Sequence, residues 1–104
     1  MKNRIERINA ELRREISMII TKDIDDPRIT FISIIYVDCS QDLKYAKVYF
    51  KSQDENIRKM EEILNKASGF IGHRLGEKMR IKHIPRLSFH YDNTENILGE
   101  KCIG

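Results

Sequence analysis

The sequence predicts a two-layer α+β domain in which helices cover one face of a three-stranded sheet. An apolar stripe with helical spacing lies near the N-terminus, and two strand-type segments joined by a short turn follow it. A second helical pattern then leads to a third strand-type segment. The helices must share one face, because only that arrangement buries their apolar stripes. With 104 residues the chain can form one modest core and not two.

The first helix is predicted from Asn3 to about Ile24. Its apolar residues step by three and four positions: Ile5, Ile8, Leu12, Ile16 and Ile20. Asn3 is a suitable N-cap with Glu6 three residues later. Pro27 pushes the residue before it out of the helical region, so the helix must end by then. We expect Asp23, Asp25 and Asp26 to terminate it and to keep phosphate away from that end.

Three segments predict strands. The first, from Thr30 to Asp38, is β-branched and aromatic with apolar residues in both alternating phases, which suggests an interior strand. After a turn over 39–44, the second runs from Tyr45 to Lys51 and directs Ala46, Val48 and Phe50 to the core. The third alternates Leu87, Phe89 and Tyr91 with polar residues.

The second helical pattern is predicted to open at a capping box over Ser52–Glu55. Its apolar positions are Ile57, Met60, Leu64, Ala67, Ile71, Leu75 and Met79. This period continues through Gly69, so we expect a kink near Ala67-Ser68-Gly69 rather than a reversal of the chain. Pro85 prevents further helix before the third strand.

Positive charge is concentrated in this second half. Eight Lys and Arg against three Glu lie between Arg58 and Arg86, a net +5, whereas the whole chain is only +3. A basic segment with an interrupted helix favours a bound polyanion, because the cations and the N–H groups of a helix end both attract phosphate. An ordinary solvated helix face is the competing interpretation.

Several blocks in this order carry a resemblance to a known family. They are Asp26-Pro27-Arg28, the hairpin segment from Ser40 to Tyr49, Ala67-Ser68-Gly69-Phe70-Ile71, Arg74-Leu75-Gly76, Arg80-Ile81, Pro85, and Phe89-His90-Tyr91-Asp92-Asn93. Together they resemble ribosome-binding factor A, a bacterial assembly factor of the small ribosomal subunit, over essentially the whole chain. The element order, α-β-β-α-(kink)-α-β, is that of the type II KH fold.

The resemblance implies a KH-like RNA-binding domain, here expected over 1–93 and followed by a short C-terminal tail over 94–104. Members of the family often carry a longer C-terminal extension. The usual GxxG loop is replaced by an Ala-x-Gly kink, which Ala67-Ser68-Gly69 matches. The implied partners are small-subunit rRNA and the free, immature small ribosomal subunit, whose rRNA processing and assembly the protein assists. We expect a cytoplasmic monomer without catalytic activity or cofactor.

The candidate RNA-binding residues combine the kink with the cations around it. They are Lys66, Ala67, Ser68, Gly69, Arg74, Lys78, Arg80, Lys82 and Arg86, extended by Arg4 and Arg7 of the first helix. Arg14 is a third arginine of the first helix that extends the patch, but Glu6, Glu11 and Glu15 make all three equally good as salt-bridge partners. Gly69 either lets an RNA backbone approach closely or permits close packing of helices, and the sequence leaves both open.

Gly69-Phe70-Ile71-Gly72 matches GxxG formally, but Phe70 and Ile71 fall on or near the apolar stripe. We interpret both as core residues rather than as a nucleotide clamp. Tyr45 and Tyr49, interleaved with Lys47 and Lys51, resemble a base-stacking platform, although tyrosine is also common on half-wet strands. The alternative function is a protein–protein adaptor that uses this sheet face or an open strand edge.

Other classes receive little support. His73, His83 and His90 fit no metal-ligand or catalytic spacing, so neither a metal site nor an enzyme is predicted. Cys39 and Cys102 lie far apart and are expected to be free thiols in a reducing cytosol. No apolar run approaches the roughly 18 residues of a membrane span, so no membrane partner is expected.

Overall fold

The computed structural model describes residues 3–29, 31–53 and 55–93. Its elements are α1 (Arg4–Lys22), β1 (Ile32–Cys39), β2 (Tyr45–Ser52), α2 (Ile57–Lys66), α3 (Ser68–Lys78) and β3 (Arg86–Tyr91). The sheet has the order β1-β2-β3, with β1 antiparallel and β3 parallel to β2. This arrangement confirms the predicted α+β fold and its element order.

Three parts of the prediction lie outside the described residues. They are Thr30 at the expected start of the first strand, Asp54 in the expected capping box, and the expected tail over 94–104. Within the described part of the chain, no helix is both long and apolar enough to cross a membrane.

Helix α1 forms as its apolar spacing predicts. The Asn3 side-chain oxygen accepts a hydrogen bond from the Glu6 N–H at 2.9 Å, so the cap is the predicted one. The inward residues are buried: Ile8, Leu12, Ile16, Ile19 and Ile20. The helix ends at Lys22, where the N–H of Asp23 donates to the Ile19 carbonyl at 2.8 Å. Asp23 therefore terminates the helix, slightly earlier than expected.

The prediction that the first strand is an interior strand is wrong. Strand β1 lies at the edge of the sheet. A β-bulge shifts the register between Ile34 and Tyr36. Ile34 is buried before the bulge, and Val37 and Cys39 are buried after it, in the opposite alternating phase. The extra residue of the bulge reverses which alternating positions point to the core. Apolar residues therefore occupy both phases although only one face of the strand is covered.

Strand β2 is the central strand, and its alternation is confirmed: Ala46, Val48 and Phe50 are fully buried. The predicted capping box after it is wrong. Ser52 still belongs to β2, and α2 begins at Ile57. Its cap is Asn56, whose side-chain oxygen accepts from the Lys59 N–H at 3.2 Å.

The second helical pattern is interrupted at Ala67, as predicted. Ala67 has φ −84° and ψ −2°, and its N–H is shared between two carbonyls of the last α2 turn. The buried residues on either side continue one apolar seam: Met60, Leu64, Ile71, Leu75 and Met79. Phe70, expected in the core, is instead 47% exposed, because it lies about 100° around the helix from the buried Ile71.

Candidate nucleic-acid interface

The interruption between α2 and α3 is open to solvent. Gly69 is exposed, and a Cβ added to it would meet no atom within 4 Å. The interpretation that this glycine permits close packing is therefore wrong. A polyanion backbone has room to approach at this position.

Helix α3 begins at the interruption without a capping side chain, and its first turn contains no acidic residue. The first N–H groups of a helix have no carbonyl partner inside that helix. They carry the positive end of the helix dipole, which favours an anion. Lys66 ends α2 beside it and adds a full positive charge.

Two clefts border the interruption, and a third is adjacent to one of them. We call the first the loop cleft, which has a volume of about 440 Å³ and lies between the α1–β1 loop and α2. Its lining includes Arg28, Lys59, Lys66 and Ala67. Asp26 and Glu62 also line it, and the Asp26 carboxylate receives two hydrogen bonds from the Arg28 guanidinium, at 3.0 and 2.8 Å. Lys59 and Lys66 are therefore the cations of this cleft that form no salt bridge with a described residue.

The Asp26–Arg28 pair also determines the charge of that loop. The hydrogen bonds from the Arg28 side chain lower the pKa of Asp26 from its usual 3.8 to about 2, with help from the Arg28 backbone N–H. The carboxylate is consequently ionised at neutral pH and its charge is matched by Arg28.

The second cleft, the kink cleft, has a volume of about 380 Å³ and lies on the β3 side of the interruption. It is lined by Ser68, Gly69, Gly72 and the start of β3, including Arg86. The structure thus brings three of the predicted residues, Ser68, Gly69 and Arg86, to one concave surface.

The third cleft, the hairpin cleft, has a volume of about 480 Å³. Its lining combines the start of α1, the β1–β2 turn and the α3–β3 loop, and it includes Arg4, Lys44 and Lys82. Arg4 and Lys82 are both predicted residues, and the fold brings them together. Ile84 lines the hairpin cleft and the kink cleft alike, so the two are adjacent.

Arg74 lies in a different setting from the other candidates. Its guanidinium donates to Asp23 at 3.1 Å and to Glu77 at 2.7 Å. The hydrogen bond and charge of Asp23, followed by the charge of Glu77, raise the pKa of Arg74. Arg74 therefore ties α3 to the end of α1, and two of its guanidinium nitrogens are already engaged with carboxylates.

The remaining predicted cations form no salt bridge with any described residue: Arg4, Arg7, Lys66, Lys78, Arg80, Lys82 and Arg86. All of them are exposed. Lys78 closes α3 and Arg80 follows it, outside the residues that line the three clefts. Arg7 likewise lines none of the three. For these residues RNA contact stays a prediction.

Comparison with known proteins decides which family this fold represents. The family model described as Ribosome-binding factor A matches residues 4–98. This chain belongs to the ribosome-binding factor A family. Ribosome-binding factor A of Lactobacillus acidophilus is 38% identical over 97 residues, covering 90% of this chain and 80% of that protein. The factor of Ectopseudomonas mendocina is 40% identical over 95 residues, covering 86% and 74%.

Solved structures agree with this assignment. The crystal structure of ribosome-binding factor A from Thermus thermophilus superposes with a TM-score of 0.79 at 24% identity, covering 86% of this chain and 97% of that one. The solution structure of a putative ribosome-binding factor A from Thermotoga maritima gives a TM-score of 0.74 at 26% identity, with coverage of 86% and 89%. The resemblance in sequence and the predicted fold are thereby confirmed.

Two residues near the interruption and its neighbouring clefts, Lys44 and Phe70, are not predicted by the sequence as candidate RNA-binding residues. Lys44 lies in the hairpin turn, outside the basic segment from Arg58 to Arg86. The Arg86 N–H donates to the Lys44 carbonyl at 2.8 Å, which places the turn beside β3. Phe70, assigned to the core, presents an exposed ring next to Gly69 and is available to stack on a base. No local pattern signals either placement.

The tyrosines of the uncovered sheet face stack on each other. Tyr36 and Tyr49 have ring centroids 4.4 Å apart and planes within 12°. On the next strand, the His90 ring lies 5.7 Å from Tyr49. Both sides of the Tyr49 ring are therefore occupied, which favours a structural role over a base-stacking platform. Tyr45 is the most exposed of these residues, at 58%.

The strand edges are partly bonded already, which disfavours an adaptor that adds a strand. On β3, the Asn65 side chain accepts from the Phe89 N–H at 2.8 Å and donates to its carbonyl at 3.1 Å. Glu61 accepts from the Tyr91 N–H at 2.8 Å. On β1, the Cys39 N–H donates to the side chain of Asn9 at 2.9 Å.

The histidines and the described cysteine form no common centre. His73 and His83 are exposed on α3 and on the loop after it, whereas His90 lies on the sheet. Among residues 3–29, 31–53 and 55–93, no group of three or more His, Cys, Asp or Glu side chains could hold a metal ion. Cys39 is a buried free thiol whose pKa is raised by burial, and Cys102 lies outside the described residues.

Proposed function

We propose that this protein binds rRNA of the immature small ribosomal subunit and assists the processing and assembly of that subunit. It does so by binding and catalyses no reaction. The observation that carries the proposal is the family match over residues 4–98, supported by relatives named ribosome-binding factor A that are 38–40% identical. The function is carried by an RNA-binding domain over residues 1–93, which acts as a cytoplasmic monomer.

A structural precedent points in the same direction. A homology model of the Thermus thermophilus factor was fitted into an electron cryo-microscopy map of a 30S complex, and that model superposes on this chain with a TM-score of 0.71 at 24% identity. The 30S complex concerns the Thermus protein, and its transfer to this chain is part of the proposal.

The geometry around the interruption supplies a physical mechanism for binding RNA. Gly69 offers open space, the start of α3 offers helix N–H groups, and Lys66 and Arg86 offer charge on either side. Phosphate oxygens are the chemical partner common to all three. An RNA backbone that crosses the interruption therefore satisfies each of them at once.

Assistance without catalysis requires a preference between two states of the RNA. A protein that binds the immature conformation more tightly shifts the equilibrium by the difference in affinity, and it dissociates when that conformation is lost. Equal affinity for immature and mature subunits would leave the equilibrium unchanged and would contradict the proposal.

Gly69→Asp tests the interruption directly. An acidic residue in the first turn of a helix is compatible with folding, whereas its negative charge opposes phosphate at the same point. We expect the variant to fold normally and to lose most of its co-sedimentation with immature small subunits. Ala10→Asp is the matched control, since it adds one carboxylate to an exposed position of α1 beside a cleft distinct from the three described above.

Nuclease treatment distinguishes rRNA binding from the alternative function as a protein–protein adaptor. Binding through rRNA should be lost when accessible rRNA is digested, whereas binding through a ribosomal protein should survive. Unchanged co-sedimentation of the Gly69→Asp variant with small subunits would refute RNA contact at the interruption. Nuclease-resistant binding of the unmodified protein would contradict the proposed function.

A further inference from the structure

The hairpin cleft gathers cations from three segments that are distant in sequence. Arg4 begins α1, Lys44 lies in the β1–β2 turn and Lys82 lies in the α3–β3 loop, and all three line one cavity of about 480 Å³. None of them forms a salt bridge with a described residue. Three positive charges on a shared concave surface create a local attraction for anions.

The cleft also contains one carboxylate, which is engaged in the turn. An Asp42 oxygen accepts hydrogen bonds from the Ser40 hydroxyl at 2.7 Å and from the Lys44 N–H at 3.1 Å. Asp42 thus organises the backbone that carries Lys44. Three cations against one carboxylate leave the cleft with net positive charge.

The floor of the cleft is apolar. Leu43, Ile81 and Ile84 line it while packing against the hydrophobic core. Cavities of roughly 300–1,000 Å³ with apolar walls and a few convergent polar groups are typical of sites for small organic groups. A floor of this kind beneath a cationic rim suits a ligand that has a flat apolar face and an anionic edge.

The backbone conformation of Leu43 is unusual for a leucine. Its φ is 62°, in the left-handed region where glycine or asparagine is normally found. The turn holds it there, with the Leu43 N–H donating to the Ser40 carbonyl at 2.9 Å. A residue in the left-handed region is usual in hairpin turns of this kind, so the turn accounts for the conformation. A leucine kept in such a conformation places an apolar side chain at the cleft despite its backbone cost.

The hairpin cleft is adjacent to the interruption. Ile84 lines both it and the kink cleft, where Gly69 and Arg86 lie. The hydrogen bond from the Arg86 N–H to the Lys44 carbonyl joins the two clefts at their shared border. One extended ligand can therefore occupy both.

We propose that the hairpin cleft binds a nucleotide of a single RNA strand whose backbone continues across the kink cleft. The base lies on Leu43, Ile81 and Ile84, and the phosphates lie against Arg4, Lys44 and Lys82. This inference rests on the proposed function and specifies which part of the RNA the protein reads. A single strand is required, because only an unstacked base can present its face to an apolar floor.

The test replaces the three cations by neutral side chains of similar length, in the triple variant Arg4→Gln, Lys44→Gln and Lys82→Gln. All three side chains are exposed, so the fold should be retained, which circular dichroism verifies. We expect affinity for immature small subunits to fall at least about tenfold. The slope of log affinity against log salt should become shallower by about 2, at roughly 0.7 for each of three single-strand phosphates.

The matched control is a second triple variant, Lys22→Gln, Lys47→Gln and Arg58→Gln. It removes the same charge from exposed positions that form no salt bridge with a described residue and lie outside the three clefts. It should retain nearly full affinity and the original slope. Equal loss in both triples would attribute the effect to net charge and overturn the site.

A direct measurement uses amide NMR shifts on titration with hexauridylate and with a blunt RNA duplex of similar charge. Shifts at Leu43, Lys44 and Lys82 with the single strand, much reduced with the duplex, are expected. Equal responses to both, or shifts confined to the sheet face at Tyr36 and Tyr49, would overturn the proposal.

These experiments distinguish failure of the proposed function from failure of the hairpin-cleft proposal. If the unmodified protein does not bind small subunits, the proposed function itself fails. If the unmodified protein and both triples bind alike, only the hairpin cleft is refuted. Subunit binding that resists nuclease yet still needs the three cations would indicate an acidic protein as the occupant and would overturn the RNA proposal.

Discussion

Residues of the same type in one segment of this protein have different structural environments. Arg74 and Arg86 belong to the same basic segment, yet Arg74 is bound to Asp23 and Glu77 while Arg86 lines the kink cleft. Gly69, Gly72 and Gly76 recur in one helix, but Gly69 alone of these borders open space, whereas Gly72 and Gly76 face Ile84. The environment of each side chain, and not its type, determines its role.

Gly69→Ala should separate stability from binding. The added methyl group meets no atom, and alanine is favoured over glycine in a helix by up to about 1 kcal/mol. We expect the free energy of unfolding in urea to rise by about 0.5–1 kcal/mol. Subunit affinity should fall, because the methyl group occupies the space proposed for an RNA backbone.

Gly76→Ala is the control for this change. Its methyl group would lie 3.8 Å from Ile84, an ordinary contact, at a position that lines none of the three clefts. It should raise stability without affecting affinity. Unchanged affinity in Gly69→Ala would contradict a close approach of RNA to this glycine.

Asp26→Asn should remove a pH-dependent contribution to stability. The folded pKa of Asp26 is about 2, below its usual 3.8, because of hydrogen bonds from Arg28. A lowered pKa stabilises the fold above the unfolded value, and the contribution disappears as pH falls through the folded value. The variant should therefore be less stable than the unmodified protein at neutral pH, and the difference should shrink between about pH 4 and pH 2.

Urea unfolding at several pH values measures that difference. Asp25→Asn serves as the control, since it removes an exposed neighbouring carboxylate. A difference for Asp26→Asn that stays constant from neutral to acidic pH would show that the carboxylate charge is not responsible.

At the scale of the elements, side chains of the helices complete the hydrogen bonding of the sheet. The amide of Asn65 on α2 bonds both the N–H and the carbonyl of Phe89, and Glu61 bonds the N–H of Tyr91. Helix α2 is thereby held along the edge of β3. The position of the interruption relative to the start of β3 depends on this attachment.

Asn65→Ala tests the attachment. Removing the amide leaves the N–H and carbonyl of Phe89 without their side-chain partner, at a cost of about 1–2 kcal/mol in the free energy of unfolding. Glu62→Ala, at an exposed neighbouring position, should change it little. Equal effects of the two substitutions in urea unfolding would contradict the proposed role of Asn65.

Over the whole molecule, cations from several segments of the chain line the three clefts, while the total charge is only +3. Binding that depends on this distribution should respond to salt far more strongly than the small net charge suggests. Counterions released from the RNA set the dependence.

Affinity for small-subunit rRNA should therefore fall linearly in log–log form with salt, with a slope of about −0.7 to −0.9 per neutralised phosphate. Filter binding or sedimentation at several salt concentrations measures the slope. Titration with neutral osmolyte at matched osmolality is the control and should leave affinity nearly constant. A flat salt response would argue against phosphate contacts altogether.

By itself, the sequence determined the α+β class, the element order, the inward faces of α1 and β2, and the interruption at Ala67-Ser68-Gly69. These follow from local rules, because helical and strand periodicities and the effects of proline and glycine act over a few residues. The family resemblance added the expected function. Local rules failed where a bulge reversed the phase of β1 and where strand β2 extended through the expected capping box.

Only the tertiary structure decided which residues meet. Lys44 of the hairpin lines one cleft with Arg4 and Lys82. Arg74 forms a salt bridge with Asp23. Gly69 borders open space, and Phe70 is exposed. Such placements depend on contacts between segments that are far apart in the chain. Their free energy comes from burying the shared core, so neither spacing nor charge along the sequence encodes them separately.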